Sequence, residues 1–268
     1  MRLIRFQDRN GKTGWAAEQA DGSALELVSS PLESLKLTGR PADVVKRLAP
    51  VEPPAILCIG ANYRRHIEES NAPMPPHPVL FMKNPGALQN PGDPIWLPVG
   101  LKSEMVDYEA ELAFVIGRRC KNVKPEAALD YVLGYACAND VSARDWQRNG
   151  GGGQWCRGKG FDSFAPMGPC LVTADEIPDP NNLRIRGLLN GVVVQDSNTS
   201  NMLFDIRALI AFLSGSTTLM PGTVILTGTP EGVGMAKEPP VWLKAGDTYA
   251  VEIERIGTLV NPVALETV

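Results

Sequence analysis

Histidine is scarce in this chain of 268 residues, with only two, and its five cysteines (Cys58, Cys120, Cys137, Cys156 and Cys170) contain no C-x-x-C pair. That combination argues against a zinc site. Scattered thiols of odd number suit a reducing compartment, so free cysteines and a cytoplasmic location are expected. Excess positive charge is absent too: the formal net charge is −4, whereas a nucleic-acid binder needs a basic surface. No apolar run approaches the roughly 18 residues of a membrane span. The opening MRLIRFQDRNGKTGW has too short an apolar stretch before its charges for a secretory leader. Glycine and proline, by contrast, are plentiful enough for many turns, which suits a strand-rich fold.

The length admits one large domain with a small appendage. Residues 1–50 read as that appendage, with strands at Met1–Phe6, Trp15–Ala20 and Ala24–Val28 and a short helix over Pro41–Leu48. The run Pro50-Val51-Glu52-Pro53-Pro54 marks a boundary, and the apolar strand Ala55–Gly60 opens the main unit, residues 55–268. Prolines crowd residues 71–98 and predict extended chain there. Further strands are expected at Val106–Ile116, Gly134–Asp140, Thr223–Thr227 and Gly246–Ile253. Helices are expected over Pro125–Leu133 and Phe204–Leu213, and Ser142 and Asp145 have the spacing of a capping box before another. Asn190-Gly191 predicts a tight hairpin within Leu183–Val194. Many short strands and few helices point to a rolled or barrel-like, β-rich α+β domain.

Several residues invite a chemical reading. Glu109 and Glu111 stand two apart in a strand and converge on one otherwise apolar face, where unpaired charge is costly. A divalent cation resolves this, and oxygen-only ligands suit Mg²⁺, Mn²⁺ or Ca²⁺ rather than zinc. The same spacing also suits a solvent-facing polar strand. Asp140 ends an apolar strand and is either a third carboxylate for that cation or a turn cap. Lys159 follows the pliant Asn149–Gly153 and is either a proton donor or anion partner, or a surface lysine. The glycines around it mimic a phosphate loop, but Gly160 stands where the motif needs Ser or Thr. His66 precedes Glu69 by one helical turn, as a carboxylate-oriented base or as an exposed histidine on a charged helix. Thr229, in the Gly228–Gly234 loop, could help hold a carboxylate, or the loop is a plain turn.

Taken in order, NYRRHIEE, VDYEAEL, ANDVSARDWQ, GKGFDSFAPMGP and LTGTPEGVG resemble the fumarylacetoacetate hydrolase superfamily, from about Ala55 to the C-terminus. RGLLNGVVVQDSNTSNMLF, and ARDWQ with QW-x-x-GK, are most similar to its smaller hydrolase and isomerase branch. The resemblance implies a mixed β-sandwich roll with a small N-terminal domain, forming a cytoplasmic homodimer that uses Mg²⁺ or Mn²⁺. It puts metal ligands on Glu109, Glu111 and Asp140, an active-site lysine on Lys159, and a water-activating dyad on His66 and Glu69. Substrate contacts fall on Arg144, Gln147 and Thr229. The larger hydrolases have a further aspartate ligand where this chain has Ala61-Asn62-Tyr63, which resembles the three-carboxylate branch and argues for an acylpyruvate or fumarylacetoacetate-like substrate over fumarylacetoacetate itself. The activity implied is cleavage of a carbon–carbon bond in a 1,3-diketo acid of acylpyruvate type, with a cation-stabilised enolate. The alternative is an isomerase, tautomerase or decarboxylase of 2-oxo diacids, since one constellation serves all of these. A binding protein that has lost catalysis would show affinity for such acids without turnover.

Overall fold

The structure is a computed structural model that describes residues 1–267. Strands β1 (Arg2–Gln7), β2 (Thr13–Glu18), β3 (Ala24–Leu27), β4 (Leu37–Pro41) and β5 (Lys46–Leu48) come first. The expected helix over Pro41–Leu48 does not form. Val45 N–H donates to Gln7 O, and β5 pairs antiparallel with Arg5–Gln7. A short segment with two adjacent valines has too weak a helical preference to compete with that pairing.

Next come β6 (Ile56–Gly60), α1 (Arg64–Glu69), β7 (Val79–Lys83), β8 (Leu88–Gln89) and β9 (Ile95–Leu97). The single strand expected over Val106–Ile116 is broken into β10 (Val106–Asp107) and β11 (Ala110–Ile116). The break lets the Asp107 carboxylate accept from Gly234 N–H at 2.7 Å and Met235 N–H at 3.0 Å. β12 (Val132–Asn139) follows a 3₁₀ turn, Pro125–Tyr131, where an α-helix was expected. Ser142 belongs to β13 (Ser142–Ala143), not to a helix cap; its hydroxyl donates to Asp140 O. Asp145 is the cap, accepting from Trp146 N–H at the head of a π-helical turn, Trp146–Gly150. The short helix α2 (Cys156–Lys159) then leads to β14 (Ala165–Thr173). This strand escapes sequence reasoning because Pro166 and Pro169 mark it as an edge or a non-strand, yet it lies between β12 and β1. A register shift opposite it, between Tyr135 and Cys137, accommodates the missing donors.

The hairpin of β15 (Arg184–Leu189) and β16 (Val192–Asn198) turns at Asn190 and Gly191, with φ of +52° and +79° as such a two-residue turn requires. Helix α3 (Ile206–Ser214) is capped by Asp205 and buries Ile206, Leu209, Ile210 and Leu213, one helical face. β17 (Val224–Leu226), β18 (Thr248–Ile253) and β19 (Gly257–Leu265) complete the chain.

The main sheet runs β4-β3-β2-β1-β14-β12-β11-β17-β6-β7, so the N-terminal strands join the rest through the β1–β14 ladder. A second sheet, β16-β15-β18-β19-β9, packs across β11, β12 and β14. β17 is parallel to β6 while most other pairs are antiparallel, giving the mixed, β-rich α+β architecture expected. β11 is buried along its whole length, and it runs opposite to both β12 and β17. Its beginning therefore meets the ends of β12, β17 and β6, and the candidate site residues gather at that meeting point.

Candidate active site

A cavity of about 330 Å³ opens at this junction. Of the nine residues singled out above, all but Glu69 line it, and Glu69 stands behind His66, its Oε1 2.8 Å from His66 Nδ1. Glu109, Glu111 and Asp140 are buried and each offers an oxygen within 4.8 Å of the others. The solvent-facing alternative for the Glu109–Glu111 strand is thereby excluded.

Lys159 is no surface residue either. It is 2% exposed, and its ammonium donates to Glu109 Oε2 at 2.6 Å and Asp140 Oδ2 at 2.8 Å. Gly158 makes this possible: a Cβ there would lie 2.3 Å from Gln147 N and 2.6 Å from Ala143 O, so only glycine lets α2 seat against residues 143–147. Arg144 clamps two carboxylates, with Nε 2.9 Å from Asp107 Oδ2 and Nη2 2.7 Å from Glu109 Oε1. Its Nη1 donates to Gln147 Oε1 at 3.0 Å. Thr229 donates to Ala110 O at 3.0 Å and accepts from Gln195 Nε2 at 2.8 Å, so a substrate oxygen would have to compete for its hydroxyl proton.

The electrostatics follow from burial and pairing. Burial pushes the Glu111 carboxyl well above the usual carboxylate range, and the nearby Asp140 and Glu109 charges push it further. Burial acts on Glu109 too, but Lys159 and Arg144 outweigh it and hold that carboxyl well below its ordinary value. Desolvation pulls Lys159 down, yet Asp140 and Glu109 prevail and keep it above the usual lysine value, firmly cationic. Burial likewise lowers Arg144, and Glu109 and Asp107 more than restore it.

Sequence reasoning missed Lys83, which is 1% exposed. Its three N–H donors serve Val141 O at 3.0 Å, Phe164 O at 2.8 Å and Lys159 O. Asp140 Oδ1 lies 2.6 Å from the same ammonium, so the lysine also forms an ion pair with this carboxylate. The signal was available as a lysine sharing the inward face of an alternating strand with Phe81. Asp107 was missed as well, although it stands in the same two-residue rhythm as Glu109 and Glu111.

The residues present fit a hard divalent cation. The candidate ligand atoms are all oxygen and lie within 4.8 Å of one another, and Glu111, whose carboxyl is pushed up by burial and by its acidic neighbours, makes no ion pair among the described residues.

The family described as fumarylacetoacetate (FAA) hydrolase C-terminal matches residues 55–264. The chain belongs to this family. It is 50% identical over 242 residues to a *Xenopus laevis* protein named oxaloacetate tautomerase fahd2, mitochondrial, covering 90% of this chain and 75% of that one. The human oxaloacetate tautomerase FAHD2A, mitochondrial, is 45% identical over 243 residues, 90% of this chain and 77% of its own. Among solved structures, 5-carboxymethyl-2-hydroxymuconate delta-isomerase from *Mycobacterium smegmatis* superposes with a TM-score of 0.87 at 40% identity, covering 99% of this chain and all (100%) of that chain. A fumarylacetoacetate hydrolase from *Exiguobacterium antarcticum* gives 0.89 at 37% identity, with coverages of 99% and 100%. The two tautomerases are named as mitochondrial and so lend no support to a cytoplasmic location. No helix among the described residues is long and apolar enough to cross a membrane.

Proposed function

We propose that this chain is a tautomerase that interconverts the enol and keto forms of a small 2-oxo diacid of the oxaloacetate type, with Glu109, Glu111 and Asp140 holding Mg²⁺ or Mn²⁺. The observation that carries this reading is the pairing, across one cavity, of a carboxylate-bound, cationic Lys159 with an imidazole oriented by a carboxylate. The names of the similar tautomerases and of the isomerase structure support it over carbon–carbon hydrolysis.

When bound, the cation supplies Lewis acidity to the oxygens of the 2-oxo acid. At the cavity floor and directly behind it, four carboxylates (Asp107, Glu109, Glu111, Asp140) face three cations (Lys83, Arg144, Lys159), of which Asp107 and Lys83 do not line the cavity. A dication overshoots that balance and an anionic substrate restores it, so the two should bind together. With its Nδ1–H given to Glu69, His66 is left with Nε2 as the base. In the keto-to-enol direction Nε2 takes a proton from C3. The C–H electrons form the C2–C3 double bond, and the C2 carbonyl electrons move onto oxygen. Lys159 keeps its own proton and stabilises that oxygen's charge, as a preorganised donor does. The oxygen is protonated from water, and the reverse path returns the His66 proton to C3. Tyr63–Met74 and residues 149–155 frame the entrance, and Trp155 packs against Gly60 and Phe81 there.

The test follows enol absorbance of oxaloacetate with Mg²⁺ or Mn²⁺. The expected result is accelerated enol-to-keto conversion that chelation of the metal abolishes. Enol decay no faster than in buffer, together with rapid cleavage of an acylpyruvate, would replace this reading by hydrolysis.

A further inference from the structure

Three cationic side chains line the cavity, and they are not equivalent. Lys159 and Arg144 are buried and tied to carboxylates. Arg148 also lines the cavity, yet it is exposed and makes no ion pair among the described residues. Its Nη2 lies 3.5 Å from Met235 Sδ, a weak acceptor that a guanidinium gives up readily. The π-helical turn Trp146–Gly150 explains the placement. Gln147 is held inward by Arg144, and the next residue emerges on the outer side of the cavity. Met235 beside Arg148 offers no charge, and neither do Ile67 and Ala72, which also line the cavity.

This arrangement gives the cavity a polarity along its depth. The floor holds the metal-ligand carboxylates and the two committed cations, and it suits the 2-oxo acid head. Toward solvent, Arg148 offers a guanidinium committed to no carboxylate among the described residues, beside the uncharged Met235. We infer that Arg148 binds the distal carboxylate of the substrate and selects 2-oxo diacids over 2-oxo acids with uncharged tails. The inference rests on the 2-oxo diacid reading above and adds the residue that would enforce it. An arginine fits the role because its planar fork meets a carboxylate through two parallel hydrogen bonds. Solvent at the rim moderates the gain, so the discrimination expected is about tenfold to thirtyfold.

The experiment compares oxaloacetate with its 4-methyl ester, which keeps the 2-oxo acid head and removes the distal charge. Affinities of both for the Mg²⁺-loaded protein are measured by calorimetry, alongside KM and kcat. Wild type should prefer oxaloacetate. In Arg148→Met, oxaloacetate affinity should fall about tenfold or more and its KM rise in step, with kcat changed less than about twofold, while ester affinity stays put. Arg148→Lys should recover part of the loss. Equal weakening of both ligands, or no change in either, overturns the inference; so does a wild type that binds the two alike. If wild type binds oxaloacetate through Arg148 but does not speed its tautomerisation, the reaction assigned above falls and the role of Arg148 stands. If tautomerisation is rapid and Arg148→Met changes nothing, the reverse holds.

Discussion

At the floor of the cavity and just behind it, Lys83, Arg144 and Lys159 are at most 2% exposed, and every one is paired with a carboxylate. At the rim, Arg148 is exposed and unpaired among the described residues, and His66 rides on the short helix α1. The floor is fixed by strand ends inside a ladder; the rim is a short helix and a glycine-rich turn joined to it by a few contacts, such as Glu69 to Gly232 N–H at 3.0 Å. Buried charges held by several partners cannot move singly without large cost, whereas rim groups can. The carboxylates proposed to hold the cation therefore sit in the rigid part of the site, while the proposed base His66 and the exposed Arg148 sit in the part that can adapt.

The sharpest way to separate the two is His66→Ala. If the rim carries the proton and the floor carries the metal, turnover falls about 10²–10⁴-fold while Mn²⁺ affinity, read by titration, does not change. A parallel loss of Mn²⁺ affinity would mean that rim and floor are one unit. Lys83→Met attacks the floor instead. It leaves buried carbonyls and Asp140 without their cation, and a loss of about 3–5 kcal/mol is expected. Thermal unfolding should show a Tm lower by about 6–20 °C, and an unchanged Tm would contradict the ion pair as drawn.

Gly60→Ala tests the seam between the regions. A Cβ there would sit 2.3 Å from the Trp155 ring, so the ring must leave and the 149–155 segment must shift. Turnover should fall about tenfold, on the order of 1.4 kcal/mol, and the same substitution in a Trp155→Ala background should do little further harm. The smallest effect concerns pH. The Glu111 carboxyl has a pKa raised in the fold, so its contribution to stability is complete below the ordinary carboxylate range and is lost as pH rises through the folded value. Metal-free protein should therefore lose Tm across that rise. Glu111→Gln should flatten the profile and raise the neutral-pH Tm by about 2–4 °C for each 1 kcal/mol of repulsion removed, while weakening Mn²⁺ binding. A metal-free profile unaffected by the substitution would show that the Glu111 charge is already compensated.

Periodicity and turn chemistry, which are local, made much of this molecule legible. The alternation around Glu109 and Glu111, the Asn190-Gly191 hairpin and the amphipathic face of α3 all depend on neighbours in sequence, and so do the i, i+3 partners His66 and Glu69. The ordered motifs brought Glu109, Glu111, Asp140 and Lys159 to notice as one set. Local reasoning failed where distant pairing decided the outcome. Lys46–Leu48 became a strand because β1 offered it a ladder, and β14 formed in spite of its prolines because β12 and β1 enclose it.

What the sequence determined alone was the inventory: a non-basic, β-rich chain with three acidic side chains in or beside strand ends and a histidine–glutamate pair on a short helix. Only the tertiary structure decided which charges are committed and which are free. Lys83 and Lys159 are separated by 76 residues, yet the Lys83 ammonium donates to the Lys159 carbonyl and contacts the same Asp140 that Lys159 binds. Arg144 and Arg148 lie one turn apart, yet one is buried in a carboxylate clamp and the other is exposed. The reason is physical. A charge's state depends on what surrounds it in space, and burial and pairing arise only when the ends of β6, β12 and β17 meet the beginning of β11.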